Sequence, residues 1–292
     1  MEATVGLIGI GRMGLPVCAR LADAGLKVVA HDSRPDPRAE VSAMGASWAP
    51  DTRAVAAAAD VFMTMLPGTD ELRAVMDLAI PELRPGRTWI DMTSSTLGTA
   101  HEVGARARAR GIECLDAPVG GGPAAAAAGE LQLFVGGRKE IVERHRRLLE
   151  VLGAVEHVGG HGAGYVSKLL VNLLWFGQAV ATGEALLLAR RAGLDLEVLR
   201  GTLERSAASS EFLRRDLDAL LDGDYLESFG LDRCVEELRA VADLAGELDV
   251  PFELSTGVAQ AYERALDRYG AIDGELLAVA LLEERAGTDL RR

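Results

Sequence analysis

Three glycines in the run Gly9-Ile10-Gly11-Arg12-Met13-Gly14 stand in the spacing G-x-G-x-x-G. In a dinucleotide-binding turn the first glycine permits the tight bend, the second lets backbone approach a pyrophosphate, and the third lets helix and strand pack closely. The phosphates then rest on free N–H groups at the helix N-terminus. The spacing alone also describes an ordinary turn, so its context decides. A β-prone run, Thr4–Ile8, precedes it, a helical pattern over 14–24 follows, and Asp32 ends a second apolar run, KVVAH, at Lys27–His31. An acid about 20 residues past the loop is where a ribose-binding carboxylate belongs. Such a carboxylate accepts from the adenosine 2′-hydroxyl and repels a 2′-phosphate, which makes NAD the expected cofactor. Ser33 and Arg34 continue the same turn. Arg34 can pair with a 2′-phosphate, which keeps NADP as the alternative. The other reading of Asp32 is a solvated turn residue.

Lys168 and Asn172 form a second constellation. Their i, i+4 spacing puts both on one face of a helix. A lysine inside so apolar a segment is expensive unless it faces a cleft or a partner, and a lysine in such a place suits proton transfer. The other reading is a lysine snorkelling from the helix start, with Asn172 in a structural hydrogen bond.

These residues need a scaffold, and two patterns supply it. Through the first half, short apolar runs at Thr4–Ile8, Lys27–His31, 60–65 and Thr88–Asp91 alternate with helical stretches at 14–24, 70–83 and 96–110. That alternation predicts parallel β-α-β units with both sheet faces covered. The runs 112–115 and 131–135 extend the sheet, and GGGPAAAAAG over 120–129 reads as a loop and a short helix. From about Gly164 strand signals cease. Residues 165–192 are apolar nearly all round, the pattern of a buried helix, and helices follow at 196–206, 211–221, 231–248, 254–269 and 274–286. The expected fold is α/β: an N-terminal Rossmann-like, mostly parallel sheet domain over 1–163, followed by an all-α C-terminal domain over 164–292.

Bulk properties exclude several classes. The chain has 292 residues, 49% hydrophobic, with 31 Lys and Arg against 44 Asp and Glu, for a net charge of -13. An acidic chain repels a phosphate backbone, so no nucleic-acid partner is expected. Cys18, Cys114 and Cys234 are scattered and form no C-x-x-C pair, which reads as reduced thiols in a cytoplasmic protein. The five histidines show no metal-ligand spacing, so no metal is expected. Met1-Glu2-Ala3 carries no positive charge and Arg12 interrupts the first apolar run, against a signal peptide. The uncharged stretch 169–183 is shorter than the ~20 residues of a membrane span, so no membrane is expected.

Taken in order, GLIGIGRMG, MLP at 65–67, DMTSST at 91–96, DAPVGGG at 116–122 and GAGYVSKLLVN at 162–172 resemble the β-hydroxyacid dehydrogenase family. The resemblance runs over nearly the whole chain, including the tail YGAIDGELLAVALLEE, and the ordered set is more specific than any member of it. It implies that Lys168 is the catalytic lysine and Asn172 the substrate-orienting asparagine. Met65, Leu66 and Pro67 match a loop that contacts the cofactor, and Thr93 and Ser94 match residues beside the nicotinamide. Gly121 and Gly122 match a backbone cradle for a substrate carboxylate.

Two positions depart from the family's pattern. Gly120 stands where a serine is usual, so one hydroxyl near the substrate is missing. Glu236-Glu237-Leu238 stands where the family has Lys-Asp-Leu, so Glu236 reverses a charge expected near the site, unless it points to solvent or pairs with Arg233 or Arg239. The leading expectation is hydride transfer between a nicotinamide and the carbonyl or alcohol carbon of a small carboxylate-bearing molecule, with Lys168 as general acid and base. Reduction of a C=N bond is a second enzymatic reading, and a non-catalytic dinucleotide-binding protein is a third. The apolar breadth of 165–192 predicts a homodimer or homotetramer built on the helical half.

Overall fold

The structure, a computed structural model, describes residues 3–227 and 229–292. Met1 and Glu2, part of the signal-peptide reading above, lie outside the described residues. The chain divides into two compact units, residues 1–168 and 169–292.

The first unit opens with β1 (Thr4–Ile8), α1 (Gly14–Asp23), β2 (Lys27–His31), α2 (Arg38–Ala43), β3 (Ser47–Trp48) and α3 (Thr52–Ala58). It continues with β4 (Val61–Thr64), α4 (Thr69–Ala79), β5 (Thr88–Asp91), α5 (Leu97–Ala109) and β6 (Glu113–Asp116). The strands lie in the order β3-β2-β1-β4-β5-β6 and all these pairs are parallel. β1, β4 and β5 are buried along their whole length, because helices cover both faces of the sheet. Leu7, Val17, Leu21, Met63 and Ile90 fill one face, and Val55, Phe62, Leu72, Met76 and Trp89 fill the other.

Beyond β6 the sheet changes direction. β7 (Val119–Gly120) and β8 (Leu131–Gly136) pair antiparallel, with α6 (Gly122–Ala128) between them, and β8 also runs antiparallel to β6. The short α6 connection leaves room only for a return strand, whereas a parallel partner needs a crossover of a dozen or more residues. α7 (Lys139–Glu150) supplies such a crossover, and β9 (Gly153–Gly159) then pairs parallel to β8. Neither α7 nor β9 is among the elements expected from the sequence.

α8 (Ala163–Arg191) begins in the first unit and runs on into the second. The first turn of α8 belongs to the first unit, where it is tied to the strand ends. Asp116, at the end of β6, accepts the N–H groups of Gly162 (2.7 Å), Gly164 (2.7 Å) and Tyr165 (3.2 Å). A helix start leaves such donors without an intrahelical partner, and a carboxylate there satisfies them. The tie also explains Gly164, where a β-carbon would lie 2.2 Å from the Phe134 carbonyl oxygen.

The second unit is helical among its described residues: α9 (Leu196–Glu204), α10 (Glu211–Arg215), α11 (Leu217–Asp222), α12 (Leu231–Glu247), α13 (Glu253–Tyr269) and α14 (Leu277–Ala286). The single helix expected over 211–221 is two, separated at Asp216, whose carboxylate takes the indole N–H of Trp175 (2.8 Å). Aspartate is a weak helix former that trades backbone bonds for side-chain ones. α8 has the length and mean hydropathy of a membrane-spanning helix. Within the second unit, however, Phe176, Val180 and Leu186 pack into its cores. The helix is not buried all round: Leu170, Leu174 and Leu188 are exposed, the last two at 64% and 73%.

Candidate active site

The glycine loop joins β1 to α1 at the C-terminal edge of the parallel sheet, where open α/β folds bind ligands. Gly9 adopts φ +95°, and a β-carbon there would sit 2.2 Å from the Met65 carbonyl oxygen. A β-carbon on Gly14 would sit 1.8 Å from the carbonyl oxygen of Gly9. Those two glycines are demanded by the protein itself. Gly11 differs: the nearest atom to a β-carbon there is a guanidinium nitrogen of Arg34, at 3.5 Å. The space above Gly11 is open, as a backbone surface that receives a pyrophosphate requires, so the residues present fit a dinucleotide.

Asp32 follows β2 and is buried. Its Oδ2 accepts the N–H of Ile10 (2.7 Å) and its Oδ1 accepts the N–H of Arg34 (2.8 Å). The Arg34 side chain approaches the same oxygen at 3.4 Å. Burial pushes the Asp32 carboxyl up, but the two amide donors and the Arg34 charge outweigh it and hold the group below its ordinary value. Asp32 is therefore charged at neutral pH, and it clamps the glycine loop to the end of β2. An open pocket adjoins this turn, bordered by Ile10, Gly11, Arg12, Arg34, Asp36 and Glu40. Ser33 is exposed beside it, and Met13 is half-buried at the head of α1.

Leu66 and Thr93 follow β4 and β5, and Thr93 Oγ1 accepts the Leu66 N–H (3.1 Å). With Met65 against Gly9, the structure brings Gly9, Met65, Leu66 and Thr93 into one continuous edge. Pro67 is exposed and Ser94 half-buried along it. Behind this edge lies Asp91, the last residue of β5, 1% exposed. It accepts from the Thr64 hydroxyl (2.6 Å), the Thr93 N–H (3.1 Å) and the Tyr165 hydroxyl. The Trp89 indole donates in turn to Thr64 Oγ1 (2.9 Å). Burial pushes Asp91 up to about 6 against the pull of these donors. Burial also raises Asp116.

Gly121 adopts φ +114° as the residue that caps α6, and Gly122 follows at the helix start. Gly120 has no such need: a β-carbon there meets Phe134 and Gln132 at 3.8–3.9 Å, which is ordinary contact. A serine would fit.

Lys168 and Asn172 are both half-buried on α8, one turn apart. Within the second unit, Asn172 Nδ2 donates to Glu237 Oε2 (2.5 Å), and Glu237 is buried. Glu236 is exposed and pairs with Arg233 Nη1 at 2.7 Å. The carboxylate that meets the asparagine is thus Glu237.

Four of these residues escaped the sequence reading in their roles: Asp91, Asp116, Tyr165 and Glu237. Signals for three of them are present. Asp91 and Asp116 each end an apolar strand, and a charge in that place is costly unless it is used. On α12 the buried residues Leu231, Cys234, Leu238 and Val241 define an inner face, and 237 falls on it whereas 236 does not. Tyr165 carries no such signal.

Comparison with known proteins identifies the family of the chain. Residues 4–162 match the family described as the NAD binding domain of 6-phosphogluconate dehydrogenase. Residues 162–282 match the NAD-binding family of NADP-dependent 3-hydroxyisobutyrate dehydrogenase. The 2-(hydroxymethyl)glutarate dehydrogenase of Eubacterium barkeri is 30% identical over 89% of this chain and 88% of its own. L-threonate dehydrogenase of Cupriavidus necator is 30% identical over 91% of each. The Mycobacterium tuberculosis 3-hydroxyisobutyrate dehydrogenase, solved with L-serine, superposes with a TM-score of 0.89 at 27% identity, covering 96% of this chain and 99% of that one. The chain belongs to the β-hydroxyacid dehydrogenase family and is an NAD(P)-dependent dehydrogenase that acts on CH–OH groups.

Proposed function

We propose that the enzyme oxidises the hydroxyl carbon of a small carboxylate-bearing alcohol, or reduces the matching carbonyl, with Lys168 as the proton-transferring group and NAD as the preferred cofactor. One observation carries this reading. The helix that bears Lys168 is anchored, through Tyr165, to the same Asp91 that holds Thr93 at the cofactor edge.

Gly9 to Gly14 would hold the pyrophosphate, Asp32 with Ser33 and Arg34 the adenosine ribose, and Met65, Leu66, Pro67, Thr93 and Ser94 the nicotinamide half. The bound nicotinamide supplies or accepts the hydride. Lys168 takes the hydroxyl proton in oxidation and returns one to the oxygen in reduction. Asn172 orients the reacting oxygen, with Glu237 fixing its amide. The amides of Gly121 and Gly122, next to Gly120, receive the carboxylate, since backbone N–H groups hold an anion without a basic side chain. Glu236, neutralised by Arg233, bears on substrate charge only at longer range. Asp32 favours NAD by repelling a 2′-phosphate. The exposed Leu170, Leu174 and Leu188 recur at helical spacing along α8, and in this reading a second copy covers them in a cytoplasmic homodimer or homotetramer.

The relatives named above act on hydroxy acids, which sets the assay. Reduction of NAD+ and NADP+ is followed with 3-hydroxyisobutyrate, L-threonate, L-serine and 2-(hydroxymethyl)glutarate, and oxidation of NADH and NADPH with a cyclic imine. Lys168→Ala is expected to lower kcat by about 10²–10⁴-fold while the affinity for NADH, read by fluorescence, stays within twofold. Turnover of the imine alone, or a Lys168→Ala enzyme within threefold of wild type, refutes the proposal.

A further inference from the structure

We propose that Tyr165 and Asp91 are a positioning pair that sets the rotation of α8, and so the place of the Lys168 ammonium, from the nicotinamide edge of the sheet. The inference rests on the reading of Lys168 as the proton-transferring group.

Tyr165 is gripped at both ends. Its main-chain N–H goes to Asp116 Oδ2 (3.2 Å) and its hydroxyl to Asp91. Asp116 also takes Gly162 and Gly164 (2.7 Å each), so the helix is pinned along its axis by backbone donors alone. Backbone donors at a helix start leave rotation about the axis loosely defined. A side chain held at its tip restricts that freedom, and within the first unit Tyr165 is a side chain so held, as Asn172 and Trp175 are further along α8 within the second. It is fully buried, 1% exposed, so its ring cannot swing.

The other end of the tie is equally fixed. Asp91 is also bound by Thr64, itself bound by Trp89, and by the N–H of Thr93. Thr93 in turn receives Leu66. One carboxylate therefore joins the cofactor edge and the lysine helix. Burial drives Asp91 up to about 6 despite its donors.

Lys168 lies three residues past Tyr165, so the two stand about 60° apart around the helix and ~4.5 Å along it. A roll of about 10° at the helix's outer radius of ~5–6 Å moves a side-chain tip by ~1 Å. Misplacement of that size is enough to slow a reaction by about 100-fold. The effect would act through Lys168, which makes Tyr165 a positioning residue rather than a catalytic one.

Tyr165→Phe keeps the ring and removes the tie, and Asp91→Asn keeps the shape and removes the charge. Two readouts test the pair. The first needs no substrate. The chain has three lysines, Lys27, Lys139 and Lys168. Their rates of acylation by an amine-directed reagent are followed by peptide mass spectrometry. Tyr165→Phe should change the Lys168 rate at least threefold and leave Lys27 and Lys139 unchanged. The second is a double-mutant cycle on kcat with the best hydroxy acid of the panel. Tyr165→Phe should lower kcat 10- to 100-fold in the wild-type background, with NADH affinity within twofold, and have almost no effect in Lys168→Ala. Asp91→Asn should reproduce both results in direction.

An unchanged Lys168 acylation rate in folded Tyr165→Phe overturns the proposal. So does a kcat effect that persists in full in Lys168→Ala, which would mark a general structural role. Failure of the lysine reading itself is separate, because it shows in Lys168→Ala alone.

Discussion

Replacing Gly11 by alanine separates binding from folding in a way the other loop glycines do not allow. The added β-carbon meets one protein atom, an Arg34 guanidinium nitrogen at 3.5 Å, which is normal contact at the end of a flexible side chain. The backbone at Gly11 is not in the left-handed region, so alanine is tolerated there. A compatible Gly→Ala change removes freedom from the unfolded chain and stabilises by roughly 0.4–1 kcal/mol. For a chain of this size that raises Tm by about 1–4 °C. In the proposed binding mode the methyl group stands where the pyrophosphate approaches the amides. Its loss of contact should weaken NADH binding at least tenfold, or about 1.4 kcal/mol. Gly14→Ala is the contrasting control: its β-carbon would lie 1.8 Å from the Gly9 carbonyl oxygen, so folding fails before binding is tested. The assay pairs a thermal melt with an NADH fluorescence titration. A Gly11→Ala protein of unchanged Tm that binds NADH as wild type does would refute the placement of the phosphates.

Three further outcomes follow from the same structure. Gly120→Ser should fold normally, because its β-carbon has room, and should raise kcat/KM for 3-hydroxyisobutyrate by about three- to tenfold, the value of one hydrogen bond; equal or lower kcat/KM shows that the missing hydroxyl is not what sets this enzyme apart. Glu237→Gln should cut kcat/KM by about tenfold, since a charge-assisted bond that orients Asn172 (2.5 Å) becomes a neutral one, whereas Glu236→Gln, on an exposed pair with Arg233, should stay within twofold; equal effects from the two would refute the assignment. Asp91 gives a stability signature. Its folded pKa is raised from 3.8 to about 6, so its ionisation costs roughly 3 kcal/mol at pH 7 and that cost is relieved as pH falls through 6. The stability of wild type relative to Asp91→Asn should therefore rise between pH 7 and pH 5. His161, whose burial lowers it to about 4, acts in the opposite sense but equally in both proteins. Parallel pH curves would show that Asp91 is not the buried acid described.

The fold class and the glycine turn between β1 and α1 were legible in the residues themselves, because they depend on local rules. Alternation of apolar runs and helices implies a covered parallel sheet, and a glycine spacing after a strand implies a phosphate turn. β7 to β9 were less legible. The reversal at β8 depends on how short the α6 connection is, and the crossover helix α7 is mostly polar outside Ile141, Val142 and Leu149. Lys168 and Asn172 could be named as candidates from spacing and resemblance, but the long-range bonds around them could not. The Asp91–Tyr165 tie joins residues 74 apart in the chain, and the Asn172–Glu237 bond joins residues 65 apart. No period or spacing encodes such pairs. Glu236 and Glu237 differ by one position and by nothing in chemistry. The apolar period of α12 turns 237 inward and 236 outward, because a step of one residue on a helix rotates the side chain by about 100°, but only the tertiary structure decided that the inward carboxylate meets Asn172.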